Sequence, residues 1–156
     1  MSLSWPPNPP RRLALGSAGL LLAISAALLL YPSVVSPYPA DASSEGGDPG
    51  PLLDILYALA ALFATVRPAT WNTLLTRTTT IEWRDAGLFR SPPNSRLSFR
   101  PGALIAGLLL LGCFVNALAS PVLAISLLAQ GQASWHLLAQ VALRPLVAWT
   151  LAARVA

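Results

Sequence analysis

Residues 136–145 read HLLAQVALRP, which puts the chain's single histidine at the mouth of an apolar stretch and an arginine within it. At helical spacing His136, Gln140 and Arg144 stand at i, i+4 and i+8, so they form one polar stripe. An imidazole oriented by a carboxylate is a general base, and a guanidinium held away from water stabilises an anionic or enolic oxygen. Two other apolar runs carry groups to face the stripe. Asp54 and Tyr57 lie at i and i+3 in one, and Asn116 and Ser120 at i and i+4 in the other.

This pattern predicts an outward-opening polar pocket. Asp54, Tyr57, His136 and Gln140 would form its mouth, and Asn116, Ser120 and Arg144 its floor. His136, Asp54 and Arg144 are the candidate catalytic residues, with Tyr57, Asn116, Ser120 and Gln140 as candidate substrate-binding residues. Each group also has a structural reading. Arg144 can snorkel or pair with Asn116, and Asp54 is an acid favoured in a helix's first turn by the dipole. His136 beside Trp135 suits a wet interface. Pro145 removes a backbone hydrogen bond and frees the carbonyl of Val141.

The elements that position these residues are apolar runs. The chain of 156 residues is 54% hydrophobic and 10% charged, against roughly a quarter charged in soluble domains. Four of the five residues 6–10 are proline, so residues 1–12 form a Pro-rich arm ending in Arg11–Arg12. Residues 13–35 form a first transmembrane helix, because about twenty apolar residues cross a hydrocarbon core of about 30 Å. A cleaved signal peptide is the rival reading, but the run exceeds the usual apolar region of about 7–15 residues. Gly19, Ala23 and Ala27 have the small-xxx-small spacing of close helix packing.

Residues 36–51 are an acidic outer loop with Asp41, Glu45 and Asp48. The next run is short, and spans only if the helix extends over 52–75 with Arg67 snorkelling; a re-entrant hairpin is the alternative. Residues 76–102 are an Arg-rich cytoplasmic loop, in which the Thr run at 78–80 disfavours helix. A third helix covers 103–129, kinked at Pro121. A turn over 130–134 leads to the fourth, over 135–153.

Charge sets the orientation. With the N-terminus inside and four crossings, Arg11, Arg12, Arg67, Arg77, Arg84, Arg90, Arg96, Arg100 and Arg154 all fall on the cytoplasmic side. The tenth arginine is Arg144, and the chain contains no lysine. This matches the positive-inside rule, as do Tyr31, Tyr38 and Trp135 near the outer interface and Trp71 and Trp149 near the inner one. The expected fold is thus an all-α membrane protein, a bundle of four transmembrane helices with both termini cytoplasmic.

The function classes divide accordingly. The chain contains no P-loop, G-x-S-x-G, HExxH or CxxC motif, and one His and one Cys (Cys113) give no basis for a metal site or cofactor. Arginines flanking apolar runs are topology determinants, so nucleic acid is not an expected partner. The first reading is an accessory or structural subunit of a larger membrane assembly. The second is a membrane-integral enzyme using acid–base chemistry on a lipophilic small molecule of terpenoid, polyketide or quinone type. The third is an oligomeric transporter. The expected partners are therefore the lipid bilayer, a larger complex or further copies of the chain, and a lipophilic small molecule. An endoplasmic reticulum and a bacterial inner membrane fit equally.

Overall fold

The computed structural model describes residues 7–30, 50–82, 96–131 and 135–155. The acidic loop, Arg84, Arg90, Tyr31 and Tyr38 lie outside the described residues. The described residues are mostly helical. Its helices are α1 (Arg11–Leu30), α2 (Gly50–Val66), α3 (Pro68–Thr76), α4 (Pro101–Ala129) and α5 (Trp135–Val155). A two-stranded antiparallel hairpin, β1 (Thr79–Glu82) with β2 (Arg96–Phe99), departs from the all-α expectation and pairs Thr79 with Phe99 and Thr80 with Ser98. The strand begins in the β-branched Thr run, whose stiff side chains suit a pleated backbone.

Helices α1, α4 and α5 are each long and apolar enough to cross a membrane, and the bent pair α2–α3 passes the same test when taken together. A span over 52–75 requires one continuing helix, with a re-entrant hairpin as the alternative. The structure instead ends α2 at Val66 and turns by 108° into α3. Pro68 is the cause. It disfavours helical geometry at the residue before it, and Arg67 takes φ −122° and ψ 61°. Pro68 itself is suited to the first turn of the next helix, where its missing N–H costs nothing. Arg67 therefore sits exposed at a corner.

Helix α5 packs against α1, α2 and α4, while α1 also packs on α2 and α4 on α2 and α3. Between α1 and α2 the seam is small: Ala18, Ala58 and Ala61 are fully buried beside Leu21 and Tyr57. Where both surroundings are apolar, burial of hydrocarbon adds little, and close approach through small residues supplies the attraction. The α1 stripe expected at Gly19, Ala23 and Ala27 is not the packed face. Ala14, Ser17, Ala18, Leu21 and Ser25 are buried instead, while Ala23 is exposed. Several small-residue stripes coexist on an Ala-rich helix, and packing selects one.

Three contacts fix which helix ends lie together. The Trp149 indole donates to the Pro7 carbonyl at 2.8 Å, and the Trp71 indole to the Arg154 carbonyl at 3.0 Å. Gly102, in the first turn of α4, lies against the backbone of Leu74 in α3. The start of α1, the α2–α3 corner, the start of α4 and the end of α5 thus share one end of the bundle. Arg11, Arg12, Arg67, Arg77, Arg100 and Arg154 all lie there. At the other end α4 stops at Gly131, whose φ of 70° is the left-handed conformation of a helix cap. Its N–H donates to the Leu128 carbonyl.

A methyl at Gly102 would overlap the Leu74 carbonyl, whereas one at Gly107 would meet nothing within 4 Å. Gly102→Ala is therefore expected to destabilise the bundle by about 1–3 kcal/mol, as overpacking does. Gly107→Ala should be neutral or slightly stabilising. Unfolding both variants in mixed micelles by a titration with sodium dodecyl sulfate checks the contrast; equal midpoints would mean α3 does not pack on α4 as described.

Candidate functional site: a buried Asp–Arg cluster

Asp54 stands one turn into α2, on the face that continues through Tyr57, Ala58, Ala61, Ala64 and Thr65. This i, i+3, i+4, i+7 spacing makes the face continuous. Asp54 is fully buried. Its carboxylate meets residues from two other helices. Arg144 of α5 holds it side-on: Nη2 donates to Oδ2 at 2.7 Å, and Nε to Oδ1 at 2.9 Å and Oδ2 at 3.1 Å. The amides Asn116 Nδ2 and Gln140 Nε2 add bonds to Oδ1 at 3.2 Å and to Oδ2 at 3.4 Å.

The remaining nitrogen of the guanidinium is also used, since Arg144 Nη1 donates to the Ser120 hydroxyl. That hydroxyl in turn donates to the Asn116 carbonyl one turn earlier in α4. Ser120 thus serves as acceptor and donor at once, the full use of a hydroxyl. The cluster joins α2, α4 and α5 through one carboxylate. A planar guanidinium fits this carboxylate as no ammonium would, because its fork presents parallel donors.

The structure brings together Asp54, Asn116, Ser120, Gln140 and Arg144, five of the seven residues singled out from sequence. It does so with different pairing. The sequence reading set Asp54 beside His136 at a mouth and Arg144 below at a floor, whereas Asp54 and Arg144 are in direct contact. Mouth and floor collapse into one cluster. His136 lies eight residues before Arg144, about 12 Å along a helix. It is half-buried, with its ring edge-on to Trp135 at 5.9 Å. Tyr57 is buried with its hydroxyl against α4 at Gly112, where a Cβ would come within 2.6 Å of the phenolic oxygen. Gly112 carried no signal in the sequence, since the need for a missing side chain arises only once Tyr57 is placed.

Cys113 is buried next to this contact, in the cluster with Tyr57 and Val147. Among the described residues no three His, Cys, Asp or Glu side chains come together as a metal site would require. A separate groove of about 590 Å³ runs between α4 and α5, from Gly107 to Leu118 on one and from Pro145 to Ala152 on the other. Its wall is apolar, and none of the five cluster residues lines it.

Breaking a buried pair by removing one partner costs about 3–5 kcal/mol, because the other charge is left without compensation. Asp54→Ala and Arg144→Ala are each expected to lose that much stability. The double variant Asp54→Leu/Arg144→Met should lose much less than the sum. A double-mutant cycle of unfolding midpoints in mixed micelles reads the coupling, and strictly additive losses would show that the pair does not act as a unit.

No family model, curated protein or solved structure matches the chain.

Proposed function

We propose that the chain is a small multi-pass integral membrane protein, with both termini cytoplasmic, that serves as an accessory or structural subunit of a larger membrane assembly. The membrane placement rests on three helices with the length and composition of a span, and on α2, whose 17 residues cover about 25 Å. That is slightly short of a typical core, a gap that local thinning of the bilayer can close. Helix α3 then lies across the bundle end with Arg67 and Arg77 at its borders, where anionic headgroups are. The gathering of six described arginines at one end supports the cytoplasmic assignment of that end.

One observation carries the subunit reading: the polar groups of the Asp54–Arg144 cluster are engaged with one another. A general base has to reach a substrate proton. The Asp54 carboxylate is instead chelated by Arg144 and bridged by Asn116 and Gln140. The cluster behaves as a clamp that sets the relative positions of α2, α4 and α5, which suits a rigid component more than a reactive centre. The enzyme reading keeps one observation in its favour. The deep end of the α4–α5 groove is formed by Ala117, Leu118 and Pro145, chain neighbours of Asn116 and Arg144. A lipophilic molecule seated there would approach the cluster from the side.

Mild-detergent purification of the tagged chain at native expression, followed by native mass spectrometry, separates the two readings. The subunit reading expects a stoichiometric protein partner that His136→Ala leaves in place. A chain that comes alone with a defined lipophile, and loses its turnover on His136→Ala, would overturn it. Orientation is read in a Cys113→Ala background. A cysteine introduced at Gln130 should react with an impermeant maleimide from outside, and one introduced at Thr76 should not. The reverse labelling would invert the assignment.

A further inference from the structure

The α4–α5 groove has a position and length that the subunit reading does not use. Its α5 wall is Pro145, Ala148, Trp149 and Ala152, at i, i+3, i+4 and i+7. On α4 it extends from Gly107 to Leu118, about 16 Å at the helical rise. One leaflet of hydrocarbon is about 15 Å deep, half of a core of about 30 Å. On α5 the groove lies in the half of the helix next to the Arg-rich end, and on α4 it ends three residues past the helix midpoint. A partner's transmembrane helix would need a seam along the whole span, whereas this one stops midway.

Charge at the open end identifies the occupant. Arg100 immediately precedes α4 in extended conformation, seven positions before Gly107 and at the bundle end nearest the groove. It is exposed. On the α5 side, the Trp149 indole that lines the groove donates to the Pro7 carbonyl, four residues before exposed Arg11 at the start of α1. Two exposed cations thus stand at the bundle end nearest an apolar slot about one leaflet long. We propose that the groove seats an acyl chain of one acidic phospholipid from the leaflet at the Arg-rich end, with Arg100 and Arg11 holding its phosphate group.

This inference rests on the membrane placement proposed above and does not depend on a protein partner. Gly107 offers a clean way to block the slot, since nothing stands within 4 Å of an added Cβ. The full chain would be reconstituted in vesicles of equal phosphatidylglycerol and phosphatidylcholine, extracted mildly and weighed by native mass spectrometry. The expected result is one retained phosphatidylglycerol per chain. Gly107→Phe should lower that retention at least about tenfold with helix content unchanged. Arg100→Gln should keep a lipid while lowering the preference for phosphatidylglycerol about fivefold.

A second measurement avoids the blocking variant. Phosphatidylglycerol with brominated acyl chains should quench Trp149 more than brominated phosphatidylcholine does, and the difference should vanish in Trp149→Phe. Equal retention of both lipids, equal quenching, or a Gly107→Phe chain that keeps its phosphatidylglycerol would overturn the site. So would a different lipophile displaced by Gly107→Phe, which would return the groove to the enzyme reading. Failure of the chain to float with the vesicles would overturn the membrane placement itself, a result distinct from floating without lipid preference.

Discussion

A carboxylate and a guanidinium that leave water together constrain everything around them. Placing an arginine at the centre of a span costs roughly 2.5–3.5 kcal/mol, and an aspartate there is similarly costly. Asp54 and Arg144 offset this by direct contact, and Asn116, Gln140 and Ser120 add further hydrogen bonds to the pair. The arrangement needs three helices at once. Sliding α2, α4 or α5 along its axis by one turn, about 5.4 Å, would part at least one of these bonds. The α1–α2 seam is Ala on Ala and Leu, which tolerates sliding far better, so the cluster is the main polar constraint on the register of α2, α4 and α5.

Helix α5 consequently does two jobs on two faces. Gln140, Arg144, Val147 and Leu151 point into the bundle, and Pro145, Ala148, Trp149 and Ala152 form the wall of the groove. Arg144 and Pro145 are adjacent in sequence, so they diverge by about 100° around the axis. Holding the arginine inward thereby turns the proline outward. The polar core and the apolar slot follow from a single rotation of α5, and the ion pair is what sets that rotation.

The two ends of the bundle differ in kind. One carries the arginines, α3 and the hairpin, tied together by Trp71 on the Arg154 carbonyl, Trp149 on the Pro7 carbonyl and Gly102 on Leu74. These indoles each spend their one donor on a backbone carbonyl near a helix or arm terminus, where carbonyls lack intrahelical partners. Each of these tryptophans is thus a structural tie.

Chain order and composition by themselves determined the apolar runs, the separation of charge to one side and the identity of most cluster residues. Gln140 and Arg144 fall on one face because four residues are close to a helical turn, and Asn116 and Ser120 do so for the same reason. That periodicity is local and survives any packing. What only the tertiary structure decided is which face meets which, and at what depth. Asp54 was expected level with His136 by counting from helix ends, but the contact is with Arg144, because tilt, the reach of a long side chain and the stronger pairing of opposite charges are invisible to counting. The 108° corner at Arg67 had its signal in Pro68. The need for about twenty residues to span outweighed that signal. The choice among alanine stripes on α1 had no signal of its own, since small side chains are interchangeable until a neighbouring helix selects the face it packs against.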